Sequence, residues 1–311
     1  MARGRLGHAL LFLGPRGVGR ETCARGLAAG VLCERAGEPD ALPFGCGACR
    51  SCARVRSGAH PDLHVVMNEA DAVDRGLRQP DGKKKPSRAI LVDQVRELSR
   101  TLRMKPYEGR ARVAIVVDAH GLNLNAANAL LKTLEEPSGS ALLILTAPHA
   151  RAVLPTITSR CQRVHFAPLK EAEVAEVLTS LGVADAERRA RVAEGSVAQA
   201  LELDVDEAEG NEQLAALLKA RLFQGTASER LDAAEQVGRD RREADRVLDA
   251  MQRMLARELR KGVLTPEAPN ERSTRELRKA LDAIAATRTA IAENAHVQLA
   301  LEELLLRADR R

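Results

Sequence analysis

The chain has 311 residues, 45% of them apolar, and a formal charge of +5, so it has room for two or three domains and at least one substantial core. One Tyr, four Phe and no Trp provide no row of stacking platforms, which argues against single-strand binding by base stacking. No apolar run reaches the roughly 18 to 20 residues of a membrane span, and Ala9 to Leu13 is too short for an export signal. A cytoplasmic protein is therefore expected, its six cysteines serving as thiols or metal ligands rather than disulfides.

His8 to Leu13 reads as a short buried strand. It meets Gly14-Pro15-Arg16-Gly17-Val18-Gly19-Arg20-Glu21-Thr22, after which Ala24, Leu27, Ala28, Val31 and Leu32 recur at helical spacing. Strand, glycine loop and helix form the setting of a phosphate-binding loop. Glycines let backbone N–H groups close around phosphate, and the helix N-terminus adds positive potential. The full motif ends on Lys and Ser/Thr, but Arg20 and Glu21 stand there and Thr22 comes one place late. Arginine keeps the charge without the compact ammonium. A carboxylate in place of the Mg²⁺-binding hydroxyl would repel phosphate, which argues against productive ATP binding. Gly14, Gly17, Gly19, Arg20 and Thr22 are the residues of this degenerate loop.

Cys33 and then Cys46, Cys49 and Cys52, separated by two-residue gaps, suit tetrahedral zinc. The fourth ligand of the triple cluster is Cys33 or His60. An iron–sulfur cubane would need another Cys where Arg56 stands. The module, about residues 33–60, is closed and structural. Leu63 to Met67 reads as a strand. Asn68 to Arg88 reads as a polar insertion carrying Lys83-Lys84-Lys85, either a solvated loop or a DNA-contacting one. Asp93-Gln94-Val95-Arg96 opens a helix with Val92, Val95, Leu98 and Leu102 on one face.

The apolar run Val113 to Val117 ends on Asp118, the position of a metal-holding acid. Its neighbour is Ala119, which can neither act as a base nor orient water, so the hydrolytic step lacks its main protein group. A helix from Asn125 to Glu136 follows, then a strand from Ala141 to Leu145 ending on Thr146, placed as a γ-phosphate sensor. Past Pro148 and Pro155 comes Ser159-Arg160-Cys161, where Arg160 is an arginine finger or a plain surface ion pair.

The run Asn125 to Pro137 followed by Ser159-Arg160-Cys161 resembles bacterial clamp-loader subunits of the AAA+ class. The cysteine cluster, Gly58 to Asp62 and Asp93 to Arg96 fit the same family, over roughly the first half of the chain. The resemblance implies an α/β P-loop domain over residues 1–167 holding structural zinc on Cys33, Cys46, Cys49 and Cys52. It implies a helical lid over 168–205 and an all-α collar over 206–311. Arg160 would reach into a neighbouring ATPase subunit of a hetero-oligomeric ring that loads the sliding clamp on primer–template DNA for DNA polymerase III. The resemblance implies a helical segment ahead of the first strand, so the start here is expected to be either clipped or misassigned.

The later run Gly195 to Leu201 has Ala198 where active relatives carry a sensor arginine. Beyond Pro168, Glu171 to Leu181, Asp185 to Glu194 and Val197 to Leu203 read as lid helices, and Asp204 to Gly210 as an acidic linker. Five further helices follow, the last with an apolar stripe of Val297, Leu301, Leu304 and Leu305. That stripe fits an intrachain bundle or a collar between subunits. Arg20, Glu21, Ala119 and Ala198 together favour a non-hydrolysing subunit over an active ATPase subunit. The strand–acid–helix order disfavours an unrelated zinc-dependent DNA-binding module.

Overall fold

The computed structural model describes residues 7–36, 38, 42–79, 82, 85–137, 140–264 and 271–307. Lys83 and Lys84 of the basic loop lie outside them. The chain divides into two compact units, Met1–Glu202 and Leu203–Arg311.

The first unit holds β1 (Ala9–Leu13), α1 (Arg20–Leu32), α2 (Arg50–Ser57), β2 (Leu63–Val66), α3 (Glu69–Asp74), α4 (Val92–Leu102), β3 (Arg112–Val116), α5 (Leu124–Glu135), β4 (Ala141–Ala147), α6 (Pro155–Thr158), β5 (Gln162–His165), α7 (Glu171–Ser180), α8 (Ala186–Val192) and α9 (Val197–Glu202). The strands form one parallel sheet in the order β2-β3-β4-β1-β5. A parallel sheet is covered on both faces, which is why β1, β3 and β4 are almost continuous apolar runs. Alternate side chains serve opposite faces. Leu11, Leu13, Val116 and Leu145 join the core containing Leu98 and Leu130 of α4 and α5. Leu10, Phe12, Ile115 and Ile144 join Ala24, Ala28 and Leu32 of α1 on the other face.

Part of the predicted polar insertion is ordered as α3. Asn68 caps it by accepting the Asp71 N–H at 2.8 Å, and Glu69 and Asp71 favour its N-terminus. Short acidic helices carry little apolar periodicity, so the cap was the readable signal.

The second unit is all helical: α10 (Val205–Gln224), α11 (Ala227–Val237), α12 (Arg241–Leu264), α13 (Glu271–Ala292) and α14 (Val297–Arg307). The expected acidic linker is instead the start of α10. Asp204 accepts the Glu207 N–H at 3.1 Å, and Asp206 and Glu207 sit in the first turn, where carboxylates complement the helix dipole. Leu218, Leu248, Met251, Ile284, Leu301 and Leu305 meet in one core. The stripe on α14 is thus buried within its own unit, with Leu304 alongside and Val297 packed against the same core. Arg288 ties α13 to α12 through Asp245 (2.9 Å) and Asp249 (2.7 Å).

Candidate functional site

The carboxyl ends of β1, β3 and β4 carry the glycine loop, Asp118 and Thr146. This is the edge at which open α/β sheets bind ligands. Gly14 donates its N–H to the Ala147 carbonyl at 3.2 Å, fastening the loop to β4. Gly17 and Gly19 lie at φ 81° and 88°, a region that disfavours side chains. A Cβ on Gly17 would also collide with Ser196 Oγ. The Gly17 carbonyl accepts the Val197 N–H at 3.0 Å, so the start of α9 rests on the loop. Ala198, at the sensor position, packs there without a charge.

Two loop residues pair in ways that the sequence did not announce. Arg20 is buried and reaches Asp118, with Nη2 at 3.5 Å from Oδ1. Burial lowers its pKa, opposed in part by the Asp118 carboxylate. Glu21 is bound by Arg75 Nη1 at 2.7 and 2.9 Å and by Arg25 Nε at 3.0 Å. Burial would raise its pKa, but the bonds and charge of Arg75, then Arg25, outweigh this and hold it below the usual carboxylate range. Its expected repulsion of phosphate is therefore weakened by two cations. Thr22 occupies the first turn of α1.

Asp118 adopts left-handed backbone angles (φ 51°, ψ 57°), which Asp tolerates better than most residues. Its N–H donates to Thr146 Oγ1 at 2.9 Å. Acid and sensor positions are thus adjacent, and Ala119 beside them is buried.

The thiols assemble from three local structures. Cys33 follows the end of α1, Cys46 lies in a turn between Gly45 and Gly47, and Cys49 caps α2, which contains Cys52. Their four Sγ atoms lie within 4.8 Å of one another, and those of Cys33 and Cys49 are 3.8 Å apart. Tetrahedral zinc with bonds of about 2.3 Å separates its sulfurs by about 3.8 Å. The four thiols could therefore hold a metal ion. Backbone N–H groups of Ala48 and Cys49 pull the Cys46 thiol down to about 6, while burial pushes Cys52 up to about 12. His60, the other candidate ligand, lies outside the cluster. Its Nδ1 accepts the Asp62 N–H at 3.1 Å, and its Nε2 bonds Ser51 Oγ at 3.3 Å.

Arg160 follows α6, a single turn opened by Pro155. Its Nη1 donates to the Thr156 carbonyl at 3.0 Å and its Nη2 to Glu135 at 2.8 Å. The register of β5 on β1 pairs Gln162 with Leu10 and His165 with Leu13. Arg160 therefore lies ahead of the amino end of β5, whereas the glycine loop follows the carboxyl end of β1. At about 3.3 Å per strand residue, six positions separate them by roughly 20 Å.

Sequence reasoning gave no separate role to Asp62. It is fully buried, and its carboxylate accepts the N–H groups of Tyr107 (2.6 Å), Glu108 (2.9 Å) and Gly109 (2.8 Å). It anchors the loop that leads into β3. An acid directly ahead of a buried strand was the available signal. Gln94 works similarly, its amide donating to the Met67 carbonyl at 2.9 Å. A groove of about 880 Å³ lies away from the glycine loop between α4 and α5 and is lined by Arg96, Arg100, Arg103 and Lys132, among others.

The family model described as DNA polymerase III, delta subunit, matches residues 1–170. The delta' subunit of DNA polymerase III from Pseudomonas aeruginosa is 38% identical over 159 residues, covering 51% of this chain and 43% of that protein. The delta' subunit from Bacillus subtilis is 36% identical over 167 residues, covering 53% and 44%. The tau subunit from Escherichia coli is 33% identical over 211 residues, covering 65% and 29%. The matched stretch thus spans less than half the length of these relatives. With the family model covering more than half of the chain, the chain belongs to the DNA polymerase III delta subunit family and is delta-prime-like.

Proposed function

We propose that the chain is a non-hydrolysing subunit of a cytoplasmic clamp loader. In this reading it sits in a hetero-oligomeric ring with ATPase and delta-like subunits, contacts the sliding clamp indirectly, and meets primer–template DNA through the complex. Arg160 acts as a finger in a neighbour's nucleotide site. The observation that carries this reading is the placement of Arg160 at the opposite end of the sheet from its own loop, roughly 20 Å away by strand rise. A cation there is too far to reach its own site and is free to enter another chain's. The loop fits a degenerate site, with Arg20 on Asp118, Ala119 beside the acid and no arginine at 198.

Zinc on the four thiols would staple the 33–60 segment to the end of α1, a structural task with no ligand position left for water. The groove of Arg96, Arg100, Arg103 and Lys132 suits phosphate contacts to DNA, with Asp93 and Glu97 partly offsetting its charge. Among the described residues no helix is long and apolar enough to cross a membrane.

The match to a tau subunit favours a second reading, an active clamp-loader ATPase. One experiment separates the two. The purified chain should show no ATP turnover alone. Mixed with a competent ATPase subunit, it should support turnover that Arg160→Ala reduces. Turnover by the chain alone would favour the second reading, and a mixture indifferent to Arg160→Ala would remove the finger role.

A further inference from the structure

Two buried charges of opposite sign hold the loop between α4 and β3. Asp62 accepts the N–H groups of Tyr107, Glu108 and Gly109, and Arg112, buried at the start of β3, serves the other end. Its Nε donates to the carbonyls of Met104 (3.1 Å) and Lys105 (3.0 Å), and its Nη2 donates to that of Lys105 at 2.8 Å. The loop's own side chains are exposed, Tyr107 at 77% and Met104 at 50%. Buried ions that spend their hydrogen bonds on the backbone of a surface loop fix that loop in place.

Arg112 also meets an imidazole. Its Nη1 lies 3.3 Å from Nε2 of His64 on the neighbouring strand β2, and 3.8 Å from Asp62 Oδ1. A guanidinium only donates and keeps its proton, so His64 Nε2 is the acceptor. The neutral ring then carries its single proton on Nδ1, and the Pro61 carbonyl accepts a hydrogen bond from the ring. A proton on Nε2 would set two N–H groups of two cations against each other, in a half-buried place where screening is weak. Burial, then Arg112, holds the His64 pKa below its ordinary value, against the pull of Asp62 and of Glu97 on α4. Arg25 of α1 and Arg78, past the end of α3, line the same groove along β2 as His64. Each is tied to a carboxylate, Arg25 to Glu21 and Arg78 to Glu69.

We infer that His64 and Arg112 form a proton-operated latch on the 104–110 loop. With the imidazole neutral, Arg112 is held against the Met104 and Lys105 carbonyls and the loop is fixed. With a proton on Nε2 the two cations repel, Arg112 is displaced, and the Met104 end of the loop is freed. Met104 and Arg103 line the groove between α4 and α5, so release reshapes one wall of that groove. The sign follows from the lowered His64 pKa: the latch is fully closed above the ordinary histidine value of about 6.5 and opens as pH falls through the lower folded value. The latch stands on the loop geometry alone and is independent of the ring reading.

Nuclear magnetic resonance of the full chain, labelled at its seven histidine rings and five methionine methyls, tests it. His64→Gln identifies the His64 ring signal and Met104→Leu the Met104 methyl. Between about pH 8 and about pH 5, His64 should titrate with a midpoint below about 6.5, and the Met104 methyl should shift with the same midpoint. In His64→Gln the side-chain carbonyl still accepts from Arg112 and takes no proton, so the Met104 shift should be lost and the methyl should stay at its high-pH position. His64→Ala removes the acceptor and should hold the methyl near its low-pH position throughout. A His64 midpoint at or above the ordinary value, a Met104 methyl that does not move, or a Met104 shift that survives in His64→Gln would overturn the inference. Should His64→Gln fail to fold, His64→Ala identifies the ring signal, and midpoints of His64 and Met104 that differ in the wild type overturn it instead. None of these results alters the turnover test of Arg160.

Discussion

Arg160 Nη2 donates to Glu135 Oε1 across 2.8 Å, joining the turn after α6 to the last residue of α5. Both side chains are substantially exposed, at 38% and 50%. Surface pairs of this kind contribute about 0 to 1 kcal/mol, so the contact orients Arg160 without locking it. Glu135→Gln and Arg160→Ala should each shift the unfolding free energy by less than about 1 kcal/mol in denaturant melts. Their effects on a partner ATPase should differ. Arg160→Ala should lower turnover by a large factor, up to about 10³ or more for a finger supplied in trans, whereas Glu135→Gln should leave it unchanged or raise it.

The thiol cluster makes a distinct prediction about metal content. Cys33→Ser and Cys46→Ser should each lose bound zinc in elemental analysis of the purified chain, and His60→Ala should retain it. Zinc affinity should fall as pH drops, because thiolates must be deprotonated to bind. A chelator should lower the melting temperature of the wild type and leave that of Cys46→Ser unmoved. Zinc retained by Cys33→Ser would remove Cys33 from the ligand set.

Asp62 should control acid stability. Burial alone would raise its pKa, but the N–H groups of Tyr107, Glu108 and Gly109, then the charge of Arg112, outweigh burial and hold it below the usual value. A depressed carboxylate pKa contributes stability that is fully present above the unfolded value, about 3.9, and is lost as pH falls through the lower folded value. Asp62→Asn should therefore flatten the acid limb of a stability–pH curve below about pH 4. Asp62→Ala, which leaves three N–H groups without their acceptor, should cost about 3 kcal/mol or more at neutral pH. An unchanged acid limb in Asp62→Asn would contradict this account.

In the helical unit, Leu301→Ala or Leu305→Ala should cost about 2 to 5 kcal/mol, the range for emptying a buried leucine site. Leu299, 62% exposed on the same helix, should tolerate alanine within about 0.5 kcal/mol. Loss of helical circular dichroism with denaturant measures both. Equal effects at Leu299 and Leu301 would mean that the stripe is not packed as described.

What could be read from the sequence was local and periodic. Val113 to Val117 and Ala141 to Leu145 are apolar on both sheet faces, so their runs mark β3 and β4 within a residue or two. The two-residue gaps between Cys46, Cys49 and Cys52 fold back on themselves through a turn and a helix cap, so spacing alone brought them together. What could not be read was long-range pairing between polar groups. Nothing near Arg20 in the sequence indicates Asp118, ninety-eight positions later. The partnerships of Glu21 with Arg75 and of Asp62 with the 107–109 backbone are hidden for the same reason. Apolar periodicity shows that a face is buried but not which element covers it, so the α14 stripe had two readings until its partners were known.

The register of β5 on β1 also gives the molecule a direction. With its arginine at the amino edge of the sheet and its glycine loop at the carboxyl edge, it presents different faces to the two sides. Contacts between unlike faces join subunits head to tail, and such a row is polar from one end to the other. In the proposed ring, a member able to give at one edge but unable to fire at the other interrupts the relay at a fixed place. Neighbouring sites would then be distinguishable by their distance from it, which gives an otherwise repetitive assembly a first position and a last.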